Sequence, residues 1–104
     1  MARYGLVGSF KAERGQGDRL AEILLRAAEA LGTDSDCELY FISRSPDDAD
    51  AVWVTEVWAS REAHAASLED EATRALISEA QPLIAGTGER IELAPVGGKG
   101  LAEA

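Results

Sequence analysis

The sequence predicts an α+β fold of the ferredoxin-like type, with its elements in the order β-α-β-β-α-β and an antiparallel sheet. Four short, mostly apolar segments have the length and composition of strands. Two longer segments repeat apolar residues with the 3.6-residue period of a helix. The 104 residues suit a single domain. We expect residues 1–96 to form this domain and residues 97–104, rich in glycine, to be a flexible tail.

The first half of the chain predicts a strand over residues 3–12 and then a helix. Asp18 is a suitable N-cap for this helix, and Gly32 is placed to end it. The apolar positions of the helix follow the i, i+3, i+4, i+7 rule and are Leu20, Ile23, Leu24, Ala27, Ala28 and Leu31.

The second half predicts two strands joined as a hairpin, a long helix and a last strand. These elements span, in chain order, residues 37–43, 51–58, 61–80 and 89–96. Ser60 is the expected cap of the helix, and a kink is expected near residues 69–71. Pro82 is expected to disturb the end of the helix, and Gly86 and Gly88 are expected to stop it.

The third strand is apolar on both faces. Alternation directs Trp53 and Val57 to one side of the sheet, and Val54 and Trp58 to the other. Two helices can cover only one of these faces, and a bare apolar face on a soluble protein implies a partner. We therefore predict a homodimer in which two sheets pack face to face as a dimeric α+β barrel, with a pocket in each subunit.

The net charge of −9 excludes several classes of partner. Phosphate backbones and anionic membranes both repel such a chain, so we expect neither nucleic-acid nor membrane binding. No apolar run approaches the roughly 20 residues of a membrane span, and the N-terminal residues do not resemble a signal peptide, so we expect a cytoplasmic protein. The single Cys37 and the single His64 predict neither a disulfide nor a zinc site.

Five residues are candidates for a functional site. Glu56 and His64 are the candidate catalytic groups, because a carboxylate within an apolar strand is costly to bury and histidine titrates near neutrality. Trp58, Tyr40 and Trp53 are the candidate substrate contacts. Each has an ordinary alternative: Glu56 paired with an arginine at an interface, His64 exposed on its helix, and the aromatic residues as core.

The segment from Trp53 to His64, Trp-Val-Thr-Glu-Val-Trp-Ala-Ser-Arg-Glu-Ala-His, resembles the antibiotic biosynthesis monooxygenase superfamily. Its members have a strand with glutamate and then an aromatic residue, followed by serine or aspartate and a Glu-Ala helix start. The order of elements also fits over residues 4–95. The resemblance implies a ferredoxin-like dimer that oxidises an aromatic substrate with molecular oxygen and no metal or flavin. Glu56, Trp58 and the helix after Ser60 would then line the pocket.

Two departures from the family pattern bear on this expectation. Relatives often carry a histidine where this chain has Ser67, and His64 lies one turn earlier on a similar helix face. Haem-degrading relatives use an asparagine and a later histidine, whereas this chain has no asparagine and has Leu68 at that position, so haem degradation is rejected.

Three functions remain compatible with the sequence. The first is a cofactor-independent monooxygenase acting on a phenolic, hydroquinone or polycyclic aromatic substrate. The second is a non-catalytic dimeric module that binds a small aromatic metabolite. The third is a purely structural dimer partner. An open pocket beside Trp58 with polar groups favours the first two, and a pocket filled by side chains favours the third.

Overall fold

A computed structural model describes residues 2–32 and 36–101 of the chain. The last three residues of the tail expected at 97–104 lie outside the described residues. The elements are β1 (Tyr4–Ala12), α1 (Gly17–Ala30), β2 (Cys37–Ser45), β3 (Asp48–Trp58), α2 (Arg61–Ser67), α3 (Glu71–Ala80) and β4 (Ile84–Leu93), with a 3₁₀ turn at Gln81–Leu83.

The four strands form one antiparallel sheet in the order β2-β3-β1-β4. This order confirms the predicted ferredoxin-like fold. The register places Tyr4 opposite Trp58 and Leu6 opposite Glu56, so these side chains share the face that the helices cover. Val57 and Trp53 alternate onto the other face, as predicted.

The predicted kink divides the long second helix into α2 and α3. Ser60 caps α2, since its hydroxyl accepts a hydrogen bond from the backbone N–H of Ala63 at 3.1 Å. Asp70 caps α3 in the same way, with its carboxylate accepting from the N–H of Thr73 at 3.2 Å. A new N-cap inside the apolar pattern lets the two helices pack at different angles over the sheet.

Pro82 disturbs the end of this helical region as predicted, but the predicted stop at Gly86 and Gly88 and the predicted start of β4 are wrong. Pro82 ends the helix in a 3₁₀ turn, and β4 begins directly at Ile84. Gly86 and Gly88 therefore lie within the strand. A Cβ at Gly88 would stand 2.2 Å from Oγ of Ser9, so glycine here leaves room for that hydroxyl, which accepts a hydrogen bond from the backbone N–H of Glu89 at 3.0 Å.

The predicted N-cap of α1 is also wrong. The helix begins at Gly17, and the carboxylate of Asp50 accepts hydrogen bonds from the backbone N–H groups of Gly15 at 3.0 Å and Gly17 at 2.9 Å. Asp18 instead forms an ion pair with Arg44. The start of α1 is thus capped by Asp50 of β3. Because Asp50 is distant from α1 in sequence, the local pattern does not predict this cap.

The interior contains two clusters of buried apolar residues. One joins α1 to the sheet through Leu20, Ile23 and Val52, with Ala12 and Ala80 beside them. The other contains Tyr4, Leu6 and Trp58, near the N-terminal end of β1. Residues of both clusters line a cavity between the sheet and the helices.

Candidate active site

A cavity of about 750 Å³ lies between the helix face of the sheet and the three helices. This volume is typical of sites for small organic molecules. Most of the lining is apolar, with contributions from β1, β3, α1 and α3. The polar groups among the lining residues include Tyr40, Glu56, His64, Ser67, Glu89 and Arg90. The cavity is therefore an apolar chamber with a few polar groups near its wall.

Glu56 is the buried acid of this cavity. Its side chain is 12% exposed, because β3 alternation directs it toward the helices. Its Oε1 accepts a hydrogen bond from the indole Nε1–H of Trp58 at 3.0 Å. The same oxygen lies 3.6 Å from Nε2 of His64. One carboxylate oxygen thus connects the two neighbouring functional side chains.

The environment of Glu56 shifts its proton affinity. Burial raises its pKa above the ordinary value of 4.5, and this is the largest influence. The hydrogen bond from Trp58 and the electrostatic influence of His64 and Arg90 act in the opposite direction without cancelling it. Glu56 is therefore a stronger base than a solvated carboxylate, as proton abstraction requires.

His64 lies on α2, and its imidazole is directed into the cavity. Its side chain is 12% exposed, so the ordinary alternative of a solvent-exposed helix histidine is wrong. The ring centroid is 5.3 Å from that of Tyr4 and 5.7 Å from that of Trp58, with interplanar angles of 46° and 72°. Two aromatic side chains therefore flank the imidazole on the approach to Glu56.

The remaining candidates separate into two groups. Tyr40 lies directly opposite Glu56 in the β2–β3 pair and lines the cavity. Burial, and then the charge of Glu56, raise the pKa of this phenol, so it stays protonated as a possible hydrogen-bond donor. Trp53 lies on the opposite face of the sheet and does not line the cavity. The structure brings Tyr40, Glu56, Trp58 and His64 together and leaves Trp53 apart.

Two residues at the site were not among the candidates from sequence. Tyr4 contacts His64, and its hydroxyl donates to Oε2 of Glu92 at 2.7 Å. Arg90 lines the cavity because β4 places it opposite Gly8, on the helix face. Both positions depend on the β1–β4 register, for which the sequence holds no local signal.

The described ranges, 2–32 and 36–101, contain no group of three or more His, Cys, Asp or Glu side chains placed to hold a metal ion. Action without a cofactor stays a prediction from the resemblance. Within the same ranges, no helix is both long and apolar enough to cross a membrane. The cytoplasmic location also stays a prediction.

Similarity to known proteins assigns the chain to a family. Residues 3–79 match the family model for antibiotic biosynthesis monooxygenases. A protein of Chloroflexus aurantiacus J-10-fl, assigned to these monooxygenases, is 41% identical, and the match covers 96% of this chain and 99% of that one with a TM-score of 0.88. The chain belongs to the antibiotic biosynthesis monooxygenase family, as its sequence resemblance predicted.

More distant structures share the fold. A protein of Caulobacter crescentus CB15, also assigned to these monooxygenases, is 22% identical, with a TM-score of 0.82 and coverage of 92% of each chain. SnoaB, a cofactor-independent oxygenase from Streptomyces nogalater, is 13% identical, with a TM-score of 0.78 and coverage of 93% and 96%. No curated protein is similar enough to the chain to count as a match.

Proposed function

We propose that this protein is a cofactor-independent monooxygenase that oxidises a phenolic, hydroquinone or polycyclic aromatic substrate with molecular oxygen. The observation that carries the proposal is the Glu56–His64 pair, a base of raised pKa beside the chain's single histidine at the wall of an apolar cavity. Family membership and the shared fold of the oxygenase SnoaB support it.

An anthrone illustrates the chemistry that this arrangement suits. The Glu56–His64 pair removes a proton from the CH₂ carbon, and the resulting electron-rich anion reduces oxygen and forms a C–O bond to it. The peroxide oxygen is protonated, the second hydrogen leaves the carbon as a proton, and the O–O bond breaks. The products are a C=O group and water, so the substrate supplies all four electrons. The apolar walls exclude bulk water during these steps.

Two further residues have roles in this proposal. The indole N–H of Trp58 holds Oε1 of Glu56, and because the ring is only 1% exposed at the cavity wall, Trp58 positions the base more than it offers a stacking surface. Tyr40, protonated and across the strand pair from Glu56, is placed to donate a hydrogen bond to the oxygen that gains charge when the substrate is deprotonated.

We predict that Trp58→Phe lowers oxygen uptake about tenfold or more, because Glu56 loses the donor that orients it. The measurement is oxygen consumption by the metal-stripped protein with a panel of anthrones and hydroquinones. Trp53→Phe is the matched control, since Trp53 is the only other tryptophan and lies on the other sheet face. Uptake no faster than autoxidation for the wild type would remove the enzyme proposal.

A second candidate is the non-catalytic binding module. Ser67 stands where relatives often have histidine, and its hydroxyl donates to the backbone oxygen of His64 at 2.6 Å, so it is engaged within the helix. In the Trp53→Phe variant, Trp58 is the sole tryptophan and its fluorescence reports on the cavity. Saturable quenching by an anthrone without oxygen uptake would favour the binding module.

We also propose that the chain forms a homodimer through the open face of its sheet. This face presents Phe41, Ile91 and Leu93, which are 46%, 42% and 53% exposed. Trp53 of β3 and Val7 of β1 lie on the two strands between these residues and on the same face of the sheet. So much apolar surface on one flat sheet suits a two-fold interface.

We predict that Phe41→Lys makes the protein monomeric, because each chain would place a lysine among the exposed apolar side chains of this face. Sedimentation velocity measures the mass. Leu25→Lys is the control, because Leu25 is 54% exposed but belongs to α1, on the other side of the sheet. A wild-type protein that sediments as a monomer would contradict the dimer.

A further inference from the structure

We infer that Tyr4 is a positioning residue for His64, and that Glu92 and Arg61 hold Tyr4 in place. The inference rests on the proposed function, because it assigns the support for one of the two proposed catalytic groups. Three contacts converge on this one tyrosine, which is 5% exposed and lies between the cavity and the protein surface.

The first contact fixes the end of the tyrosine ring. Its hydroxyl donates to Oε2 of Glu92 at 2.7 Å, across the β1–β4 pair. Hydrogen bonds to an ionised acceptor are stronger and more directional than neutral ones. Nη2 of Arg90 donates to the same hydroxyl at 3.4 Å, a longer and weaker bond. The hydroxyl is thus held between an anion and a cation.

The second contact fixes the face of the ring. The guanidinium of Arg61 lies 4.8 Å from the ring centroid, within the range of a cation–π interaction. Nη1 of Arg61 is also 2.8 Å from Oε2 of Glu92, the oxygen that accepts from Tyr4. Arg61 begins α2, the helix that carries His64. The Arg61–Glu92 pair therefore joins α2 to β4 with Tyr4 enclosed between them.

The third contact links the fixed ring of Tyr4 to the imidazole of His64. The ring of Tyr4 packs against the imidazole of His64 with a centroid distance of 5.3 Å, and the ring of Trp58 packs against the same imidazole at 5.7 Å. Nε2 of His64 lies 3.6 Å from Oε1 of Glu56, which is longer than a normal hydrogen bond. Ring packing, more than hydrogen bonding, thus sets which way Nε2 points. A ring of Tyr4 that can turn would let the imidazole turn as well.

The chain's single histidine makes a direct test possible, because selective ¹⁵N and ¹³C labelling of histidine gives one set of imidazole signals. We expect Tyr4→Phe to move and broaden these signals, since the ring is kept but its anchor is lost. Glu92→Ala removes the same anchor from the other side. Glu92→Ala also removes the ion pair with Arg61, so the double variant should resemble Glu92→Ala alone, because the Tyr4–Glu92 bond is already lost in that variant.

Activity gives the second readout. Both single variants should lower kcat about tenfold and leave KM within about twofold, since misplacement of a base affects the chemical step more than binding. Asp48→Ala is the matched control, as it removes an ion pair with Lys11 from the distant end of β3. Thermal denaturation confirms that each variant is folded at the temperature of measurement.

Unchanged imidazole signals in folded Tyr4→Phe would overturn the inference, whatever the activity shows. Altered signals with additive effects in the double variant would also overturn it, because Tyr4 and Glu92 would then act separately. Altered, non-additive signals in a protein that consumes no oxygen would uphold the positioning of His64 and reject only the oxygenase function.

Discussion

Replacement of Glu56 by glutamine is expected to lower kcat for oxygen uptake by about 10²- to 10⁴-fold, the usual effect of removing a general base. The amide still offers an oxygen to the indole N–H of Trp58, which in the wild type donates to Oε1 at 3.0 Å. Binding of an anthrone, followed by Trp58 fluorescence, should therefore persist in this variant. Loss of binding together with activity would contradict a catalytic role and indicate a structural one.

In the same variant, we expect the free energy of unfolding to depend on pH differently from that of the wild type. Burial raises the folded-state pKa of Glu56 above 4.5, so between the unfolded and folded pKa values the folded protein binds more protons. The free energy of unfolding contributed by this group consequently falls as pH rises through that window. Glu56→Gln lacks this dependence. Denaturant unfolding across the window should show the variant gaining stability relative to the wild type as pH increases.

Oxygen uptake by the wild type should rise through the same pH window. Glu56 must be ionised to accept a proton, and its raised pKa moves this ionisation toward neutrality. Activity that is already maximal below pH 4.5 would show that another group is the base. As pH rises, the ionisation of Glu56 thus lowers the stability of the protein and raises its activity, as expected when a charge is buried for function.

Gly17→Ala is expected to destabilise the fold by about 3 kcal/mol or more. A Cβ at this position would lie 1.9 Å from the carbonyl oxygen of Ala49 and 2.9 Å from Cα of Asp50. These are backbone atoms of β3, so α1 must move away from the strand. Such movement also breaks the hydrogen bonds from Gly15 and Gly17 to Asp50. We expect the Tm to fall by roughly 12–24 °C.

Gly86→Ala is the matched control for this substitution. No atom lies within 4 Å of a Cβ built there, so we expect stability within about 1 kcal/mol of the wild type. Urea denaturation of both variants gives the comparison. Equal, small effects would show that α1 can shift away from β3 without loss, contrary to the tight packing of Gly17 on Ala49.

Local sequence periodicity determined much of this protein. The two-residue alternation of β3 placed Glu56 and Trp58 on one face and Trp53 on the other, because successive side chains of a strand must point in opposite directions. The helical period of residues 20–31 defined α1, and polar residues at 60 and 70 marked the starts of two helices through capping hydrogen bonds. Each of these features depends on residues within a few positions of one another.

Tertiary structure decided the features that depend on contacts between distant segments. The burial of His64 follows from how α2 docks over β1 and β3, since the sequence of α2 suits an exposed histidine equally well. The role of Asp50 as a cap for α1 follows from how α1 packs on β3, and the bond between Tyr4 and Glu92 follows from the β1–β4 register. Docking angle and register minimise the free energy of the whole chain, which no local pattern records.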